Sequence, residues 1–276
     1  MSLKIAIQGI KGSNHHQVAK EYFGDDVELV ECMSFDAMVE HLINKTADKG
    51  VMAIENSIAG SIIPNYALIA KNKLHIIGEH YLKIHHNLMA LKGQVIGDIV
   101  EVRSHPMALL QCKEFLKKYP HIKLMEDVDT AETAKHIQDK ELKGVAAIAP
   151  KVAADLYGLG IISNEIQTIK NNSTRFVIIK TENKPLPEKE IDKASLRFIT
   201  AHKRGSLAAV LNVMSDCNLN LTKIQSLPVI ETPWKYTFFV DVTFEKHAQF
   251  EKAKALLEIM SEDFNVLGEY KNGRLL

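Results

Sequence analysis

Cysteine is scarce in this chain, and long apolar runs are absent from it. The three cysteines, Cys32, Cys112 and Cys217, lie far apart without a Cys-x-x-Cys spacing, so the sequence indicates neither a disulfide framework nor a thiolate zinc site. The opening residues turn polar too soon to form the apolar segment of a signal peptide, and no stretch approaches the ~20 apolar residues that span a bilayer. We therefore expect a protein of the reducing cytoplasm that has no membrane partner.

An excess of one charge is also lacking. Lysine and arginine together number 34, as do aspartate and glutamate, and arginine is rare. A chain with this balance provides no basic field that would attract nucleic acid. Hydrophobic residues make up 46% and charged residues 25%, as in ordinary globular proteins. The length of 276 residues fits one large domain or two ordinary ones.

A polar connector predicts a domain boundary. The segment Lys180 to Lys193, KTENKPLPEKEIDK, is rich in charge and has almost no apolar residue, which is typical of a solvated linker. We therefore predict one domain over residues 1–182 and a second over residues 193–276. In the first, apolar runs alternate with amphipathic stretches, which predicts an α/β domain with mainly parallel sheets. The predicted strands are Lys4–Ile7, Gly50–Ile54, Leu74–Ile77, Ile99–Val102, Val145–Ala149 and Phe176–Ile179.

The second domain has a different order of elements. Its pattern predicts a ferredoxin-like βαββαβ unit. The six predicted elements are a strand at Ser195–Ala201, a helix at Ser206–Cys217, strands at Asn220–Ser226 and Lys235–Thr243, a helix at Ala248–Ser261 and a strand at Phe264–Tyr270.

Several junctions where a strand ends and a helix begins carry polar residues. Such junctions collect ligands, because the first helical turn offers unpaired N–H groups and a positive dipole end. The most informative runs from Glu55 to Ser61, where a carboxylate, an amide and two hydroxyls lie within seven residues. A helix cap explains only one or two of them, so we interpret this segment as functional.

Three further junctions fit either a ligand site or simple helix capping. Gly9 to Ser13 suits close approach of an anion or a tight turn. Ser104 precedes Pro106, which we expect at the start of a helix that also carries Gln111. Thr130 lies where it or its neighbour could cap the next helix.

Arg175 enters an apolar strand in the segment Asn171–Phe176. A buried guanidinium must pair with an anion, which is either a structural carboxylate or a ligand. Histidines are frequent, with adjacent pairs at His15–His16 and His85–His86. Adjacent side chains on a strand point to opposite faces, so neither pair is a ready chelate, and we expect no metal site.

Four polar or small-residue segments follow one another along the chain: Ala53–Ser57 with Gly60–Ser61, Ser104–Pro106 with Gln111–Cys112, Ala146–Ala149 with Tyr157–Leu159, and Asn172–Phe176. In this order they resemble the motifs of the prephenate dehydratase family, whose members form phenylpyruvate in phenylalanine biosynthesis. The resemblance implies a two-lobed catalytic domain similar to type II periplasmic binding proteins, followed by an ACT domain that senses phenylalanine. It implies an enzyme that needs no cofactor. We also expect the enzyme to be monofunctional, because no segment is left for a chorismate mutase domain.

The resemblance also implies roles for individual residues. Thr174 would donate a hydrogen bond to the departing hydroxide, with Glu55 and Gln111 as polar neighbours and Glu55 as the alternative acid. Our hypothesis is that Arg175 anchors the pyruvyl carboxylate of prephenate. The other expected substrate-binding residues are Ser13, Asn56, Ser57, Gly60, Ser61, Ser104, Thr130 and Phe176.

An effector site for phenylalanine is expected in the ACT domain. Its implied residues are Gly205, Ser206, Leu207, Ala208, Asn220, Leu221, Gln225 and Ser226. The family's Glu-Ser-Arg-Pro is Gln225–Pro228 here, so an ion pair is lost and we expect altered feedback. ACT edges commonly pair across chains, which predicts a homodimer or homotetramer. The alternatives are arogenate dehydratase and a non-catalytic amino-acid sensor.

Overall fold

The computed structural model describes residues 2–182, 186–229 and 232–273. The chain forms two compact units, Met1–Gly60 with Leu82–Thr174 and Ser61–Tyr81 with Arg175–Leu276. The predicted boundary between residues 182 and 193 is not one of these divisions and stays a prediction. Residues 183–185 of the predicted linker lie outside the described residues.

Strands and helices alternate as far as residue 180. The elements are β1 (Leu3–Gln8), α1 (Asn14–Phe23), β2 (Val27–Cys32), α2 (Phe35–Ile43), β3 (Lys49–Asn56), β4 (Gly60–Ser61), α3 (Ile63–Lys71), β5 (His75–Lys83), β6 (Asn87–Ala90), β7 (Glu101–Ser104), α4 (Pro106–Gln111), α5 (Lys113–Leu116), β8 (Lys123–Glu126), α6 (Thr130–Asp139), β9 (Val145–Ala149), α7 (Lys151–Tyr157), β10 (Gly160–Ser163) and β11 (Ser173–Lys180).

Strand β1 is the centre of a parallel arrangement. It pairs with β2 from Leu3 opposite Val27 and with β3 from Ile5 opposite Lys49. The middle of β1 is inaccessible to solvent on both faces, as expected for a parallel strand covered by helices. Helix α1 begins after Ser13 because the Ser13 hydroxyl caps the helix start.

A second sheet has the order β10-β6-β9-β7-β8. Strand β7 is parallel to β8 and β9, whereas β6 is antiparallel to β9 and β10. The expectation of mainly parallel sheets is therefore wrong for this sheet, which is mixed. All five strands of this sheet lie between β5 and β11 in the sequence. The other strands up to β11 form the first sheet, in the order β2-β1-β3-β11-β5 with β4 paired to β3.

The predicted βαββαβ unit is confirmed. Its elements are β12 (Lys193–Ile199), α8 (Ser206–Asp216), β13 (Asn220–Pro228), β14 (Tyr236–Thr243), α9 (His247–Met260) and β15 (Asp263–Tyr270). The sheet is antiparallel in the order β13-β14-β12-β15, and the two helices share one apolar core with it. The fold class expected from the sequence, an α/β chain followed by a ferredoxin-like unit, is thus observed.

The end of the predicted linker is not solvated. Ile191 is 6% and Lys193 is 3% exposed. Lys193 is tolerated inside because its ammonium contacts the Glu79 carboxylate at 2.9 Å. Among the residues that the structure describes, no helix is both long and apolar enough to cross a membrane.

Candidate active site

Thr174 and Asn56 meet where β11 begins and β3 ends. The Asn56 amide nitrogen donates hydrogen bonds to Thr174 Oγ1 at 2.9 Å and to Asn172 Oδ1 at 2.7 Å. Thr174 is only 8% exposed. Because Thr174 Oγ1 accepts this bond, the hydroxyl hydrogen is not used in it and is left for another acceptor.

Backbone groups fix the orientation of the Asn56 amide. Asn56 Oδ1 accepts from the backbone N–H groups of Ile58 at 3.0 Å and Ala59 at 2.9 Å. Backbone N–H groups only donate, so the opposite side of this amide must be the NH₂ group that faces Thr174. Ser57 holds the neighbouring chain, since its backbone N–H donates to Ser173 O and its hydroxyl oxygen accepts from Ser173 N–H.

The hydrogen bonds continue from Asn172 to Gln111 and His86. Gln111 Oε1 accepts from Asn172 Nδ2 at 3.0 Å and lies 2.8 Å from His86 Nε2. Burial lowers the pKa of His86, which is 5% exposed, so the ring is neutral near pH 7. We call Thr174, Asn56, Asn172, Gln111 and His86 the Thr174 network.

The network holds neutral donors in fixed directions. Such preorganised donors stabilise an oxygen that gains negative charge, because they need not reorient while the reaction proceeds. The predicted pair of Asn56 and Thr174 is thus brought together, and Gln111 joins it through Asn172 rather than lying on the surface.

Glu55 is half-buried beside Asn56. Side chains alternate along a strand, which turns Glu55 to the face opposite Asn56. Its predicted role stays a prediction, as do those of exposed Ser57 and half-buried Thr130. Asp129, not Thr130, caps α6, since it accepts from two backbone N–H groups.

Gly60 and Ser61 form the short strand β4 at the end of the polar segment that begins at Glu55, and the helix that follows this segment, α3, begins at Ile63. The hydroxyl of Ser61 accepts from Lys223 Nζ at 2.7 Å, so this serine is a partner of a lysine rather than part of a helix terminus.

Three expected substrate contacts are corrected to structural roles. Ser104 is fully buried, and its hydroxyl donates to Ile148 O of β9 at 2.6 Å instead of capping α4. Ser13 is 3% exposed and caps α1. Phe176 is 1% exposed, since it belongs to the packed interior. Each of these side chains thus has a role within the fold that accounts for it.

Arg175 is not free to anchor a substrate. Its guanidinium is 4% exposed and donates to Glu79 at 2.7 Å, to Tyr270 at 2.9 Å and to Asp241. The sequence left open whether Arg175 pairs with a structural carboxylate or with a ligand, and in the structure it pairs with the carboxylates of Glu79 and Asp241. Burial opposes the charge, but Asp241 and Glu79 overcome it and raise the pKa of Arg175.

Asn172 and His86 belong to the site but were not among the predicted site residues. Asn172 lies in the same motif as Thr174, so its position in the sequence was a usable signal. His86 gave only the signal of an adjacent histidine pair. Its neighbour His85 contacts Glu165 at 3.4 Å instead, in line with the expected divergence of the two rings.

The predicted effector residues divide into two groups. Ser206 and Leu207 line a cavity of about 370 Å³ in the βαββαβ unit, together with Arg204 and Lys235. Gly205 and Ala208 flank them, and Gly205 starts α8 at a φ of 81°, which favours glycine. The remaining residues, Asn220, Leu221, Gln225 and Ser226, lie on the edge strand β13 and are not among the described residues that line this cavity.

Comparison with known proteins places this arrangement in one family. The sequence model of prephenate dehydratase matches residues 5–184. Arogenate dehydratase/prephenate dehydratase 2 of Arabidopsis thaliana is 35% identical over 97% of this chain and 72% of its own length.

Solved structures agree in fold. The prephenate dehydratase of Staphylococcus aureus is 26% identical with a TM-score of 0.84, covering 98% of this chain and 100% of that one. The prephenate dehydratase of Arthrobacter aurescens in complex with L-Phe is 23% identical with a TM-score of 0.87, covering 98% and 90%. GqqA, described as a quorum quenching acylase, is 25% identical with a TM-score of 0.87, covering 97% of each chain. By the match of the family model and the identity to its curated relative, this chain belongs to the prephenate dehydratase family.

Proposed function

We propose that this protein is a carbon–oxygen lyase that converts prephenate to phenylpyruvate, carbon dioxide and water. The bond to the ring carboxylate breaks, and its electron pair enters the ring. The C4–O bond then breaks with its electron pair on the departing oxygen, which takes up one proton. Because the product ring is aromatic, the reaction is driven forward without redox chemistry, and the protein has to orient the dianion and stabilise the departing oxygen.

The hydrogen bond from Asn56 to Thr174 carries the proposal. It turns the hydroxyl hydrogen of Thr174 away from Asn56 and polarises the hydroxyl, since linked hydrogen bonds strengthen one another. Thr174 would donate a hydrogen bond to the departing oxygen through this hydrogen and would keep the hydrogen, while the departing hydroxide takes its proton from the medium. The amide oxygen of Gln111 is engaged by Asn172 and His86, which leaves its NH₂ group to act as a second donor in this proposal.

The substrate carboxylates need donors other than Arg175 in this proposal. Ser57 is exposed next to Asn56, and Thr130 is half-buried at the first position of α6. We keep Ser57 and Thr130 as proposed contacts to the anionic end of the substrate, and Glu55 stays the proposed alternative acid.

Turnover of prephenate by the purified chain tests the proposal. Thr174→Ala should lower kcat by roughly a hundredfold or more, since removing one preorganised donor commonly costs this much. Thr174→Ser keeps the hydroxyl and serves as the matched control. Wild-type kcat in a folded Thr174→Ala protein, or no phenylpyruvate from the wild type, would overturn the assignment. Faster turnover of arogenate would move the protein to the arogenate dehydratases, and ligand binding without release of carbon dioxide would indicate a sensor.

We also propose that phenylalanine regulates the enzyme through the cavity beside Ser206. Lys203, Arg204 and Lys235 in its lining suit the carboxylate of an amino acid, and Phe238 supplies an apolar wall. The Arthrobacter relative was crystallised with L-Phe, which supports this effector class. Phenylalanine should slow prephenate turnover by the wild type and have less effect on Arg204→Gln. An equal response of the two proteins would contradict this site.

A cytoplasmic homodimer or homotetramer is the proposed assembly. Strand β13 is an edge of its sheet, and Leu221 and Ile224 on it are 36% and 41% exposed. Pairing of this edge with a second copy would cover both. Size-exclusion chromatography that returns a monomer at micromolar concentration would refute the assembly.

A further inference from the structure

His86 terminates the Thr174 network, and the direction of every hydrogen bond in the network can be deduced. The deduction starts at Asn56 Oδ1, which is bound by two backbone N–H groups. The Asn56 NH₂ group therefore donates to Asn172, whose oxygen must face it and whose NH₂ group must face Gln111. Gln111 in turn must present its oxygen to Asn172.

This chain of assignments leaves one possibility for His86. Gln111 Oε1 is an acceptor, so His86 Nε2, which lies 2.8 Å away, must carry the hydrogen. His86 Nδ1 is then the bare nitrogen, and it is buried with no hydrogen-bond partner among the described residues. A hydrogen on Nδ1 would be buried without an acceptor, which disfavours both the other tautomer and the charged ring.

The bond from His86 determines which end of Gln111 is displayed. With only Asn172 as a partner, the Gln111 side chain could swing away, because one hydrogen bond does not define an amide plane. With two donors on Oε1, the NH₂ group must point to the opposite side. His86 itself is held by its backbone N–H, which donates to Gln167 Oε1 at 2.9 Å.

We propose that His86 is a positioning residue, whose Nε2–H fixes the Gln111 amide so that its NH₂ group and the Thr174 hydroxyl face the substrate together. The proposal rests on the proposed dehydratase function. It predicts an effect on kcat rather than on KM, because a donor that is held in place acts mainly on the charge that develops in the transition state.

Three variants and one spectroscopic measurement test the proposal. His86→Leu removes the donor and should lower kcat about tenfold to a hundredfold, with KM changed less than about threefold. His86→Gln places an amide NH₂ near the position of Nε2 and should restore kcat to within about fivefold of wild type. His85→Leu changes the neighbouring ring, whose side chain is 41% exposed, and should behave as wild type.

Wild-type kcat in folded His86→Leu, or a loss in His86→Gln as large as in His86→Leu, would overturn the proposal. Imidazole nitrogen NMR of the wild-type protein should show His86 as neutral with the hydrogen on Nε2. A hydrogen on Nδ1 refutes the role whether or not the variants fold. The wild-type assay distinguishes failure of the dehydratase function from failure of the role of His86. An inactive wild type refutes the dehydratase function, and the NMR measurement still shows which nitrogen of His86 carries the hydrogen.

Discussion

Removing the charge of Asp241 is the sharpest test of the buried ionic cluster formed by Arg175, Glu79, Asp241 and Lys193. The Asp241 side chain is 5% exposed and accepts from Arg175 and from the hydroxyl of Ser195. Asp241→Asn keeps the shape of the side chain. It leaves the positive charges of Arg175 and Lys193 facing the one carboxylate of Glu79, and it turns an amide NH₂ toward a donor.

The magnitude follows from the burial of both partners. Removing one member of a buried ion pair costs about 3–5 kcal/mol. The lower end applies here, because Arg175 keeps its contact with Glu79 but the cluster carries an excess positive charge that is not solvated. A loss of about 3 kcal/mol corresponds to a fall in Tm of roughly 6–12 °C for a chain of this size. Asp263→Asn is the matched control, since Asp263 pairs with Arg197 but has a side chain that is 46% exposed. An exposed pair is worth under ~1 kcal/mol.

The effect should depend on pH. Burial raises the pKa of Asp241, but the Arg175 guanidinium outweighs burial and holds it below the usual value. The unfolded chain therefore binds the proton more tightly, and the pair stabilises the folded state above the unfolded pKa of ~3.9. This stability is lost as pH falls through the folded pKa, so wild type and Asp241→Asn should converge in acid. Thermal unfolding followed by circular dichroism at several pH values measures this difference in stability. An Asp241→Asn protein with the Tm of wild type at pH 7 would refute the reasoning.

Three further predictions concern substitutions at Ser104, Gly268 and Arg175. Ser104→Ala should cost about 1–3 kcal/mol, because a buried carbonyl loses its donor, while KM stays unchanged in prephenate assays. Gly268→Ala should prevent stable folding, since the new methyl would lie 2.0 Å from the carbonyl oxygen of Ile76, whereas Gly97→Ala, with nothing within 4 Å, should melt within a few degrees of wild type. Arg175→Lys should lower Tm and leave KM unchanged, because the side chain serves the fold; a large rise in KM at unchanged Tm would restore its role as substrate anchor.

The fold could be predicted where hydrophobic periodicity is strong. All six elements of the βαββαβ unit begin and end within two residues of their predicted positions, and β9 coincides with its predicted range. Strands β2, β4, β6, β8 and β10 were missed. Glu28 and Glu31 interrupt the apolar pattern of β2, and the apolar part of β8 is only two residues long, so neither strand contains an apolar run of four residues.

The site was predictable only in part. Asn56 and Thr174 were expected in one site because their segments resemble two motifs of the same family. The roles of Ser104 and His86 depend on which neighbour the folded chain places beside them. Ile148 lies 44 residues from Ser104, and Gln111 lies 25 residues from His86. No local pattern encodes such a contact.

Adjacent residues explain why the Thr174–Arg175 motif was interpreted as one site. Successive side chains of a strand point to opposite faces. Thr174 therefore joins the amide of Asn56, whereas Arg175 turns to the carboxylates of Glu79 and Asp241. One short segment of β11 thus carries a residue proposed for chemistry and a residue required for the buried ionic cluster. A substitution at Thr174 should therefore change activity without loss of stability, whereas a substitution at Arg175 should lower stability and leave KM unchanged.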